Sequence, residues 1–151
     1  MTDIKYIRTH VPYDALISQL GEELAELAQA LFKLRRAAGN GNPTPVTLEE
    51  AKAAVQEEVS DLRLVCKILN VPITIDEDEY DIDAAETVVL FSISLLLSKI
   101  AINDVSAYDT WLSDIMTNCK LLGYNVDFDP ENQKLRRWRE RLEAEHGKTD
   151  N

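Results

Sequence analysis

Between Ile17 and Leu34 the chain repeats one apolar interval. Ile17, Leu20, Leu24, Leu27, Leu31 and Leu34 follow one another at alternating steps of three and four. An α-helix, at about 3.6 residues per turn, lines such positions up on one stripe; a strand, which alternates by two, scatters them over both faces. A second series, Val55, Val59, Leu62, Val65 and Leu69, obeys the same rule. Two adjacent helices carrying such stripes bury them against each other and against further helices, so the expected class is all-α.

Punctuation along the chain sets the boundaries. The first helix runs from near Asp14 to about Ala38, where GNGNPTPV (39–46) supplies glycine, asparagine and proline hostile to a helix interior. Thr47 with Glu50 forms a capping box that opens the second helix, and Pro72 closes it. A third helix is expected from Asp83, with Glu86 as capping partner, through VVLFSISLLL (88–97) to about Ile102. A fourth covers roughly Ser106–Leu122, with Gly123 as the residue that ends it. Asp129-Pro130 opens a fifth, about 130–146, whose charged face packs on the bundle or on a neighbouring subunit. The expectation is one domain of 151 residues, a helical bundle of four to five helices without a convincing strand.

Charge and composition remove several classes of function. The formal net charge of -11 repels a nucleic-acid backbone, and no basic, aromatic-rich face compensates. The run VVLFSISLLL is interrupted by serines and too short to span a bilayer, so no membrane role is expected. The opening MTDIKYIRTH lacks the apolar core of a secretory signal. Cys66 and Cys119 form no CxxC pair and read as reduced, buried thiols of a cytoplasmic protein. His10 and His146 lie near the termini, which argues against a histidine-based site.

The carboxylates are the feature that composition does not explain. GEELAELAQALFKLRR (21–36) crowds Glu22, Glu23 and Glu26 into little more than one turn, and EEVSDLRLV on the second helix carries Glu58 and Asp61. On a helical projection Glu58 falls inside the apolar arc and Asp61 at its edge. Glu23 flanks the leucine stripe, Glu26 lies further out, and Glu22 is nearly opposite. A carboxylate in a buried stripe is costly unless something pairs with it. Three arrangements answer the pattern: a solvated acidic face, a buried ion pair with Arg63 or Lys67, or a divalent cation held between the two helices by Glu23, Glu26, Glu58 and Asp61.

EELAE at 22–26 followed by EVSD at 58–61 resembles the EExxE…ExxD signature of the MazG-like, all-α nucleoside triphosphate pyrophosphohydrolase superfamily, which includes the dimeric dUTPases. The resemblance covers roughly residues 14–70, with a longer interval between Glu26 and Glu58 than the family usually has. It implies a helical bundle that binds Mg²⁺, for which Mn²⁺ substitutes, and cleaves a nucleoside triphosphate to monophosphate and pyrophosphate. Glu23, Glu26, Glu58 and Asp61 match the metal ligands. Glu58 is also assigned to catalysis, and Glu22, the extra leading glutamate, to a further metal or the attacking water. The resemblance further implies a homodimer or homotetramer, and a deoxynucleotide is the favoured substrate.

Phosphates also need cations. Asn118 with Lys120, or Lys134 with Arg137 in KLRRWRERLE (134–143), are the candidate substrate contacts, while Lys33, Arg35 and Arg36 suit the C-terminus of the first helix. Trp138 reads as a packing anchor. DEDEYDID (76–83) fails the EF-hand loop, lacking its glycine and terminal glutamate, and reads as a solvated linker and helix cap. The rival functions are a non-enzymatic acidic interaction module and a related bundle acting on another phosphorylated metabolite.

Overall fold

In a computed structural model, described here for residues 1–149, the chain folds into six α-helices: α1 (Asp3–His10), α2 (Tyr13–Ala37), α3 (Leu48–Ile68), α4 (Ala85–Ala101), α5 (Tyr108–Leu121) and α6 (Gln133–Thr149). No strand occurs among the described residues. α2 packs chiefly on α3, α4 on α5, and α2 also meets α4, while α1 lies against α3 and α6.

The two stripes read from the sequence meet as expected. Leu20, Leu24, Leu27 and Leu31 of α2 and Val55, Val59, Leu62 and Val65 of α3 are buried in one core with Val89, Ile93, Leu96, Leu112, Ile115 and Met116. Each large aliphatic side chain taken fully out of water contributes about 1.5–3 kcal/mol, which is why these positions, and not intrinsic propensity, hold the helices together. A second, smaller core forms from Ile7, Leu16, Leu64, Ile68 and Leu135, with Trp138 and Leu142 packed against it. It seats α1 and α6 across the far face of α3.

The Thr47–Glu50 capping box is present, with Glu50 N–H donating to Thr47 Oγ1 at 3.2 Å and Thr47 N–H to Glu50 Oε2 at 2.9 Å. α2 ends in a paired closing motif, Asn40 N–H to the Arg35 carbonyl and Gly39 N–H to the Arg36 carbonyl, with Gly39 at φ +91°. Gly123, at φ +94°, closes α5 in the same way. Asn70 and Asn103, with φ near +60°, take this role for α3 and α4.

Four boundaries differ from the sequence reading. α1 was not expected: it is eight residues long and presents one fully buried side chain, Ile7, too short a pattern to register. Its Arg8 donates from Nε to the Ile68 carbonyl at 2.7 Å and from Nη2 to that of Lys67 at 3.0 Å, satisfying the end of α3. α4 begins at Ala85, after a 3₁₀ turn at Ile82–Ala84 capped by Asp81, and Glu86 pairs with Arg35 of α2 instead of serving Asp83. α5 starts two residues later than Ser106, at Tyr108. α6 begins at Gln133, not Pro130: Asp129 caps a local turn and Asn132 Oδ1 accepts from Lys134 N–H at 2.8 Å.

The apolar run 88–97 belongs to a longer helical stretch. Ile82–Ala101 has 20 residues, long and apolar enough to cross a bilayer by length and composition; an 18-residue window of it has a mean hydropathy of 1.7 and is 28% buried. Phe91, 59% exposed, stands out on its uncovered face. Cys66 and Cys119 are buried, unbridged thiols, and burial pushes both up to about 12.

Candidate metal centre

The α2–α3 pair brings the acidic half-motifs together. One carboxylate oxygen from each of Glu23, Glu26 and Glu58 lies within 4.8 Å of the others. Glu23 and Glu26 stand on one side of α2 by their three-residue spacing, and Glu58 faces them from α3, anchored between Val55, Val59 and Leu62 of the core. Glu23 Oε2 and Glu58 Oε2 are buried and have no hydrogen-bond partner. Gln19, one turn before Glu23, donates from Nε2 to Glu23 Oε1 at 2.7 Å and fixes its orientation.

Such a group cannot hold three full negative charges easily. Burial, then the charges of Glu26, Asp61 and Glu23, push Glu58 up to about 7. Glu23 is raised as well, first by burial, with the Gln19 hydrogen bond opposing and Asp61 and Glu26 adding to the shift. Three convergent carboxylates, two of them with orphaned buried oxygens, form the all-oxygen donor set suited to Mg²⁺ or Mn²⁺.

Asp61 stands apart. It is more buried than Glu58, at 7% exposed, the reverse of the order that the apolar arc of α3 predicts. The cause is a second apolar stripe: Asp61, Leu64 and Ile68 follow at steps of three and four, and that side of α3 is covered by α1 and α6. Asp61 Oδ2 accepts a hydrogen bond from Lys134 Nζ, which also lies 3.0 Å from Glu57 Oε1. Burial raises the Asp61 carboxyl, and the charges of Glu57 and Glu26 add to this; Lys134 offsets them in part. Burial opposes the charge on Lys134, yet its bonds to Asp61 and Glu57 raise it above the usual lysine range.

A cleft of about 890 Å³ opens beside these groups, lined by Glu23, Glu26 and Asp61 and by α6, which brings three cations, Lys134, Arg137 and Arg141, together with two carboxylates, Glu140 and Glu145. Trp138 lines it too, partly buried against the second core. Of the two proposed cationic pairs, Lys134 with Arg137 reaches the acidic cleft. Asn118 and Lys120 do not line it. Asn118 is fully buried on α5, donating Nδ2 to the Asp114 carbonyl at 2.8 Å, and Lys120 pairs with Glu77 at 3.0 Å. Glu22 is exposed, outside both triad and cleft. Gln19 and Glu57 join the site through the fold; the i, i+4 spacing of Gln19 and Glu23 is the sequence signal for the first. Comparison of the chain with family models, with characterised proteins and with solved structures gave no match.

Proposed function

We propose that this chain is a MazG-like, Mg²⁺-dependent nucleoside triphosphate pyrophosphohydrolase, converting a (d)NTP and water to (d)NMP and pyrophosphate. The observation that carries the reading is the convergence of Glu23, Glu26 and Glu58, two of them with partnerless buried oxygens, beside a cleft into which α6 also brings Lys134, Arg137 and Arg141. Convergent carboxylates next to side-chain cations suit a polyphosphate that reaches the first through a divalent ion and the second directly.

Each side chain then has a part. Glu23, Glu26 and Glu58 would hold the cation, and Gln19 keeps Glu23 aimed. When bound, a divalent cation lets carboxylates and phosphates share one site and makes a nearby water more acidic. Glu58 accepts the proton of the attacking water, and Arg137 with Lys134 takes up charge on the phosphates. Catalysis of this kind is positional and electrostatic and needs no serine, cysteine or histidine nucleophile. Deoxynucleotides are the favoured substrates. The uncovered apolar face of α4, with Phe91 exposed, suits a second copy of the chain in a cytoplasmic homodimer or homotetramer.

The test is a product assay with Mg²⁺ and each common NTP and dNTP, on the wild type and Glu58→Ala. Monophosphate and pyrophosphate from the wild type, lost in the variant, support the reading. A folded wild type that turns over no nucleotide with Mg²⁺ or Mn²⁺ overturns it, and leaves an acidic interaction module.

A further inference from the structure

Lys134 is paired with the carboxylates of α3 in a way the proposed reaction does not require. Its ammonium group is hydrogen-bonded to the buried Asp61 and lies 3.0 Å from Glu57. Its positive field also reaches Glu23 and Glu58. It therefore acts as an internal counter-ion for the carboxylates that would otherwise repel one another. We propose that Lys134 is a tethered cation that competes with the divalent ion for the Asp61 side of the centre, so that loading the ion releases Lys134 from Asp61 into the cleft.

The inference rests on the metal reading of Glu23, Glu26 and Glu58 and adds to it a regulation of that site. Three features support the exchange. First, the side chain can move while its helix stays in place. Lys134 belongs to the first turn of α6, whose backbone is held by the Asn132 cap and by the buried Leu135, yet its side chain is 46% exposed. Second, a doubly charged ion among the same carboxylates repels an ammonium group and takes over its neutralising role. Third, the released side chain has a destination. Arg137, one turn on, lines the same cleft and, among the described residues, makes only a long 3.4 Å contact to Gln133, so the released Lys134 joins a second cation able to meet an anion. Asp61 is thus paired with Lys134 before loading and becomes available to the ion after it.

The experiment is a nucleotide-free titration with Mn²⁺, counting free ion by its spin resonance, on the full chain and on Lys134→Met, Lys134→Gln and Arg137→Met. A partly buried ion pair of this type predicts tightening of about five- to tenfold for both Lys134 variants. Arg137→Met removes the same charge from the same cleft without touching Asp61, and its change should stay within about twofold. In an Asp61→Asn background the gain from Lys134→Met should shrink to the range of about twofold set by Arg137→Met, the part left by the field of Lys134 at the remaining carboxylates.

Lys134 variants that bind Mn²⁺ no tighter than Arg137→Met, or a gain that keeps its full size in Asp61→Asn, overturn the exchange and leave the metal centre standing. A folded wild type and folded variants that all fail to bind Mn²⁺ overturn both. Circular dichroism of each variant establishes the folded state, and Lys134→Gln, which keeps a polar group at Asp61, stands in should the methionine destabilise α6.

Discussion

Gln19 Nε2 and Glu23 Oε1 are 2.7 Å apart on successive turns of α2, so one face of one helix supplies both a proposed ligand and the group that orients it. Partners of this kind are worth about 10–100-fold in metal affinity when removed. Gln19→Ala should weaken Mn²⁺ binding by about tenfold while leaving the thermal midpoint of the cation-free protein nearly unchanged. Unaltered affinity in the variant would show that Glu23 needs no such support.

Glu58 makes the stability of the cation-free chain depend on pH. Its ordinary value is 4.5 and burial among like charges carries it to about 7, so the folded chain holds the proton more tightly than the unfolded one. The stabilising contribution is fully present below about 4.5 and is lost as pH rises through about 7. Urea midpoints in the presence of a chelator should therefore fall across that window. Glu58→Gln should flatten the curve, and Mg²⁺ should restore the midpoint at the alkaline end.

Leu62 ties the centre to the core. It is fully buried, one turn after Glu58 and next to Asp61 on α3. Leu62→Ala should cost about 2–5 kcal/mol of unfolding free energy, while Leu62→Met, which preserves volume, should cost less than about 1.5. Denaturant unfolding measures both. A cost for alanine below that range would mean that the α2–α3 contact collapses to fill the space.

Phe91 reports on the uncovered face of α4. Phe91→Glu should convert a sedimenting dimer or tetramer to a smaller species without lowering the cooperativity of unfolding, because the side chain is 59% exposed and contributes little to the chain's own core. A wild type that sediments as a monomer removes the basis for the oligomer proposal. One that instead partitions into lipid vesicles assigns the face to a membrane.

Much of the site's local order was legible in the chain. The spacing of Leu20, Leu24, Leu27 and Leu31 placed α2 and left Glu22 outside and Glu23 at the margin, as observed. Thr47 with Glu50, and Gly123, marked helix ends correctly because capping depends on residues within a single turn. α1 escaped notice since an eight-residue helix carries too few apolar positions to show a period. The start of α6 was misplaced because Asp129 caps a turn as readily as it caps a helix.

Helical class, the core faces of α2 and α3, and the order of the carboxylates along the chain are thus properties of sequence, set by interactions between residues a few positions apart. Which cations face those carboxylates is decided by the fold. Lys134 lies 73 residues from Asp61 and reaches it because Leu135, Trp138 and Leu142 seat α6 on Leu64, Ile68 and Ile7. The same seating buries Asp61 below Glu58, although the main stripe of α3 points the other way. Periodicity states which face of a helix is apolar. Burial of a charge depends on what covers that face in space, and a distant segment of the chain supplies the cover.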